Sequence, residues 1–234
     1  MKKVIIIIVA GILAGAGSAQ CEILIFDTSD SQFDAGVHNQ GWWSDALPSY
    51  DENDNYIIGI GFSGYLFRNF FTFDLSSLSI PVISATLELT RFEYVSTAES
   101  ETFGLFDVST DAVTLNDNVG INLAIYDDLG SGISYGEFEV SSEGLETDVL
   151  SFQLNAAAIG DINAAKGGWF SIGGALLSPG SPVGDGTELL FGYSQDGGVQ
   201  RLVLEVVPEP TTLSLVGAGA LLLRIRLRYR KRVG

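Results

Sequence analysis

Between residues 20 and 206 apolar and polar side chains alternate in short runs, and glycine-rich or Asp/Ser/Asn-rich joints separate one run from the next. The run Ile83-Ser84-Ala85-Thr86-Leu87-Glu88-Leu89-Thr90-Arg91 is nearly strict. Successive strand side chains point to opposite faces, so this period predicts a strand with one buried and one wet side. Residues 65–74 are richer in aromatics, with Phe67, Asn69, Phe71 and Phe73 on one parity and Leu66, Arg68, Phe70 and Thr72 on the other; one face is expected to be core. The same reasoning predicts strands over 22–26, 56–61, 101–108, 134–140, 149–154, 168–172, 188–193 and 201–206. Trp169 is assigned to the core. One helix is predicted, over 155–166, where Asn155 is a good N-cap, alanines fill the interior and Gly167 and Gly168 follow Lys166. Gly160 in its middle can split it into two turns. Many strands and one short helix predict an all-β fold, closed as a two-sheet β-sandwich of the jelly-roll kind.

Stability has to come from packing. Cys21 is the sole cysteine, which rules out an intrachain disulfide and a cysteine zinc site. Residues 20–206 are long enough for one domain with a proper core. They hold 28 of the chain's 29 acidic residues against four basic ones, Arg68, Arg91, Lys166 and Arg201, a formal charge of −24. Such a surface repels nucleic acid and anionic lipid. The whole-chain value of −17 conceals this, because six cations lie in the last residues.

The two ends read as addresses. Lys2 and Lys3 precede an apolar stretch over 4–13, and small residues run through Gly15, Ala16, Gly17, Ser18 and Ala19, which predicts a secretory signal helix over 1–19. Cleavage after Ala19 would leave Gln20 first. Gln20 also stands where a lipobox needs a small residue, so lipidation of Cys21 is not expected. At the other end, Pro208-Glu209-Pro210 stops the last strand, residues 211–223 are apolar, and Arg224, Arg226, Arg228, Arg230, Lys231 and Arg232 supply a cytoplasmic charge anchor. At about 1.5 Å per residue the apolar run reaches about 20 Å, short of the roughly 30 Å hydrocarbon core. Continuing through Ile225 and Leu227, with snorkelling arginines, brings it near a span, so a permanent single-span anchor is the alternative.

The order Pro-Glu-Pro, apolar segment, basic end resembles the PEP-CTERM sorting signal of exported bacterial proteins. The resemblance covers residues 207–234 only. It implies a membrane-inserted precursor, processing near Pro208, Glu209 and Pro210 by an exosortase-like membrane protease-transpeptidase, and delivery to the cell envelope, outer surface or extracellular matrix. A second resemblance rests on Arg68-Asn-Phe-Phe-Thr-Phe-Asp-Leu-Ser-Ser-Leu78 followed by Ile83-Ser-Ala-Thr-Leu-Glu-Leu89. This looks like the paired strands of secreted jelly-roll modules, carbohydrate-binding families among them, and it implies architecture rather than chemistry. On the residues themselves, Asp74 is placed to cap the turn and Leu78 to plug the core. Residues 127–135 and 168–174 resemble stretches of exported proteins that carry the same tail.

Catalytic patterns are thin. His38 is the only histidine, so a serine triad would have to be built on it, and Gly61-Phe62-Ser63-Gly64 lacks the strand-to-helix elbow of such a nucleophile. Carboxylate pairs suited to glycan hydrolysis are unspecific in so acidic a chain. Asp51, Asn53 and Asn55 imitate the start of a calcium loop, yet Tyr56 stands where glycine is needed and Phe62 where the bidentate glutamate belongs. Calcium therefore enters as a candidate cofactor beside the simpler reading of a solvated acidic turn. Trp42, Trp43 and Tyr50 lie in a polar, irregular-looking stretch from which flat rings could stack on sugars, with Asp45 or Asn39 as hydrogen-bonding neighbours; one of the adjacent tryptophans is expected to point inward. The expectation is a non-enzymatic exported envelope or matrix protein. A carbohydrate-binding module that takes exopolysaccharide and a glycan hydrolase are the competing classes.

Overall fold

The computed structural model describes residues 21–50, 53–192 and 198–207. The leader over 1–19, the sorting residues Pro208, Glu209 and Pro210, the basic cluster from Arg224 to Arg232, and Asp51 lie outside the described residues.

The strands are β1 (Glu22–Asp27), β2 (Gln40–Ser44), β3 (Ile58–Ile60), β4 (Leu66–Asp74), β5 (Val82–Thr90), β6 (Tyr94–Val95), β7 (Ser100–Asp107), β8 (Ser134–Ser141), β9 (Val149–Gln153), β10 (Trp169–Leu176), β11 (Glu188–Leu190) and β12 (Arg201–Val206). Three short helices interrupt them: α1 (Ala112–Asp117), α2 (Leu123–Asp128) and α3 (Ala156–Ala164). The fold is all-β, and its strands pair antiparallel. A four-stranded sheet runs β1-β12-β5-β9, and an eight-stranded one runs β6-β11-β3-β4-β10-β7-β8 with β2 also paired to β4.

The two sheets share one core, in a sandwich-like arrangement. Alternate residues of β5 and β12, namely Ala85, Leu87, Leu89, Leu202, Leu204 and Val206, meet Phe71, Phe73, Phe103, Leu105, Phe170 and Ile172 from the larger sheet. Phe103, Phe152 and Phe191 pack edge to face, with centroids 5.0–6.4 Å apart. Leu78 plugs this core, and Asp74 Oδ1 accepts from the Ser76 N–H at 2.9 Å, as the turn chemistry predicts.

The expectation of a single helix is corrected, and with it the reading of β4. Both parities of that strand are buried: Phe71 and Phe73 face the sandwich core, while Phe70 packs with Trp43, Leu115, Ile125, Tyr126 and Leu129 beneath α1 and α2. The helical segment is thus an outer layer on the larger sheet. Asp111 caps α1 by accepting from the Thr114 N–H, and Asn122 caps α2 by accepting from the N–H groups of Ala124 and Ile125. Arg68 fastens the layer: its guanidinium donates to the carbonyls of Tyr126 (2.8 Å) and Asp127 (3.1 Å) and lies 4.3 Å over the Tyr126 ring. Gly173 of β10 makes room for it, because a Cβ there would sit 2.6 Å from the Leu129 carbonyl oxygen. The third helix is the expected one, capped by Asn155, which accepts from Ala157 and Ala158.

Strand β1 pairs with β12 in the register Glu22↔Val206. The two ends of the described domain therefore emerge side by side at one corner.

Candidate functional site

The tryptophans expected in a loop belong to strand β2, and both are buried. Trp42 is 7% exposed, with its ring edge-on to Phe67 at 4.9 Å; Trp43 is 2% exposed and donates Nε1–H to the Leu115 carbonyl at 3.2 Å. Their rings do face opposite sides, but a separate apolar cluster covers each. Neither is displayed for stacking, which corrects the expected site. Tyr50 alone of the three is open, at 64% exposure.

Of the oxygen-rich turn, Asn53 has its oxygens on protein donors. Asn53 Oδ1 accepts from the Asn55 N–H at 3.1 Å, and the Asn53 carbonyl accepts from Asn118 Nδ2 at 3.1 Å. Among the described residues no three His, Cys, Asp or Glu side chains converge as a metal site. His38 Nδ1 and Asp54 Oδ2 lie 2.6 Å apart. Ser63 occupies a single turn between β3 and β4 at φ 70, with no helix behind it, so the elbow geometry is missing.

Two clusters were not foreseen. The first is a carboxyl pair. Glu101 on β7 and Glu188 on β11 are both fully enclosed, and the Glu188 carboxyl is a neighbour that raises the Glu101 pKa. Ser96 Oγ donates to Glu101 at 2.5 Å and Ser178 Oγ donates to its other oxygen, while Glu188 accepts from the N–H groups of Gly180 and Ser181 at 2.9 Å. Burial first, and then the neighbouring Glu188, push the Glu101 carboxyl above the usual range. Both side chains are enclosed and taken up by Ser96, Ser178, Gly180 and Ser181, so the pair is not open to a sugar ring. The pair holds the segment before β11.

The second cluster is an aromatic pair. Along β10, Phe170 and Ile172 turn into the core, so Trp169 and Ser171 face outward, at the rim of the layer made by α1 and α2. Trp169 is half-buried rather than core, contrary to expectation, and its ring lies 4.5 Å from that of Phe33 at an interplanar angle of 37°. The Phe33 loop is tied down on both sides: Asn39 Oδ1 accepts from the Phe33 N–H at 3.1 Å, and Ser31 Oγ donates to Asp74 Oδ2 at 2.5 Å. Burial raises the Asp74 pKa, but the hydrogen bonds from Ser31 and Ser76 outweigh it and keep the carboxyl below its ordinary value.

Two open depressions flank the pair, each of about 330 Å³. That is at the small end for ligand sites. On the Trp169 side the lining includes Asp107, Asp161 and Ser171, and on the Phe33 side Asp34, Thr114 and Asp117. Asp161 Oδ2 accepts the Tyr135 hydroxyl at 2.9 Å, and Asp107 Oδ1 accepts the Ile133 N–H at 2.5 Å. Burial, reinforced by Asp161, drives the Tyr135 pKa far upward, so this phenol stays a donor. A larger hollow of about 420 Å³ lies between β8 and β9, where Glu139 accepts from Ser100 and Thr102 and Arg91 donates to the carbonyls of Ser141 and Gly144. Phe152 on its floor belongs to the core.

No protein-family model matches the chain, and no curated protein matches it.

Proposed function

We propose that this chain is an exported, non-enzymatic protein of the cell envelope or extracellular matrix, delivered by a PEP-CTERM-type tail. The observation that carries this reading is the order of Pro208-Glu209-Pro210, the apolar run over 211–223 and the basic end. Simple anchoring has no use for the tripeptide. The pairing of Glu22 with Val206 supports the reading from the folded side, because leader and tail would meet the membrane at one corner of the domain. Jelly-roll wiring is the finer architecture we propose for the two sheets, with the first and last strands adjacent in one of them. An exosortase-like membrane protease is the proposed partner.

The test is Glu209→Ala expressed in the native cells. This removes the only charge of the motif and leaves the apolar run intact. Precursor should accumulate in the membrane fraction, whereas normal maturation of the variant refutes the sorting role and returns the tail to a plain anchor. A second reading, a carbohydrate-binding module, is favoured by one observation: the half-buried Trp169 on the outer face of β10, packed at a tilt against Phe33.

A further inference from the structure

We infer that the open edge of β8 is a docking edge for an extended peptide in which apolar residues alternate with lysine or arginine. The inference is independent of how the chain is sorted. Strand β8 ends the larger sheet and β9 ends the smaller one, and both border the hollow along one open side of the sandwich. The direction of the β8 backbone groups follows from its ties. The Ser142 N–H donates to the Glu99 carbonyl at 2.8 Å, so by alternation Val140 and Phe138 are the residues bonded to β7. Tyr135 and Ser141 turn their carbonyls the other way, to the Asn155 N–H at 3.0 Å and the Arg91 guanidinium at 2.6 Å. Between these two ties the N–H and C=O groups of Glu137 and Glu139 point away from β7, and among the described residues no strand pairs with them. An unpaired edge of this kind accepts an added strand through its backbone.

The side chains select which strand. On the inner face Phe138 packs against Phe152 with centroids 5.2 Å apart, and with Val140 and Leu150 they floor the hollow of about 420 Å³, a volume in the range of ligand sites. On the outer face Glu137 and Glu139 are exposed. Hydrogen bonds from Ser100 and then Thr102 hold the Glu139 carboxyl below its ordinary value, so it is charged at neutral pH. Glu143 adds a third carboxylate to the rim. The one cation lining the hollow, Arg91, is 5% exposed and uses its guanidinium on the carbonyls of Ser141 and Gly144. An antiparallel strand laid along β8 sets its residues directly opposite those of the edge, face matching face. Residues opposite Glu137 and Glu139 are then best basic, and the one between them, opposite Phe138, apolar. A second copy of β8 does not meet this demand, because its own glutamates would fall on the same face as those of the edge. The formal charge of −24 on residues 20–206 opposes that self-pairing further. The β9 edge has no such selectivity, since its outer residues Val149, Ser151 and Gln153 are uncharged.

The probe is an acetylated and amidated hexapeptide of alternating valine and lysine, titrated by calorimetry into the full-length chain in detergent. It should bind, and hydrogen exchange over residues 136–140 should slow when it does. Glu137→Lys alters an exposed side chain, so the variant should melt close to wild type while binding the peptide about tenfold more weakly. N-methylation of the lysines removes the N–H groups that face the edge and should abolish binding at unchanged charge. The chain's own basic end is the same in every arm and cannot produce these differences. No binding at millimolar concentration, unchanged affinity in Glu137→Lys, or protection outside residues 136–140 would overturn the assignment. Equal affinity for the N-methylated peptide, or for one with its valines and lysines in two blocks, would show charge attraction without strand pairing and overturn it as well.

Discussion

Replacing Trp43 with alanine isolates the outer layer, the part of the fold least visible in the sequence. The indole is 2% exposed and packed among Phe70, Leu115, Ile125, Tyr126 and Leu129, and its Nε1–H satisfies the Leu115 carbonyl. Truncating a buried aromatic of this size costs about 3–5 kcal/mol, and a carbonyl left without its donor adds about 1 kcal/mol. The sum is below or comparable to the roughly 5–15 kcal/mol of a whole domain, so the variant should still fold. For a domain of this length about 2–4 °C of Tm is lost per kcal/mol, which predicts a drop of about 8–24 °C in calorimetry of residues 20–206. Trp43→Phe keeps most of the volume and loses the hydrogen bond, so its drop should be clearly smaller. Tyr50→Ala removes an exposed ring and should stay within about 0.5 kcal/mol of wild type. A Trp43→Ala domain that melts within about 2 °C of wild type would refute the burial of Trp43 and the coupling of α1 and α2 to the sheet.

The Glu101–Glu188 pair makes stability depend on pH with a definite sign. The native Glu101 carboxyl holds its proton above the pH at which an unfolded glutamate releases it, so native chains bind more protons in that window and stability falls as pH rises through it. Glu101→Gln stays neutral and should flatten this part of the Tm–pH curve; an unchanged slope would show that the Glu101 carboxyl is not raised in the native fold. Residues 20–206 should keep their melting temperature in chelator, since the fold rests on packing, while bound calcium would raise it by mass action. A domain that unfolds in chelator would restore a structural role to the turn at Asn53 and Asn55.

Strands with one wet face were legible because their period is a direct imprint of burial. β12 has the predicted limits, and β5 is displaced by a single residue. The helix α3 was legible through its cap and its alanines. Strand β2 was not, because all five of its residues are buried and the run Gln-Gly-Trp-Trp-Ser has no alternation to read. Gly41 within it is a packing requirement, since a Cβ there would come 2.5 Å from Asn118 Nδ2. The helices α1 and α2 have six residues each, too few for a helical period to emerge, and only the caps Asp111 and Asn122 could have betrayed them. The aromatic pair of Phe33 and Trp169 joins a loop residue to a strand residue far along the chain, and the neighbouring glutamates join β7 to β11. Such juxtapositions are created by sheet topology, which no local pattern encodes. Trp169 was read as core because strand parity alone does not say which face a neighbouring layer covers.

Intact-mass and peptide mass spectrometry of the mature protein from its native cells tests the central claim, export followed by processing at both ends. The account predicts a chain that begins near Gln20, carries no acyl group on Cys21, and ends near Pro208-Glu209-Pro210 without the arginines from Arg224 to Arg232. Mature extracellular protein that keeps Met1 or that basic cluster would contradict it.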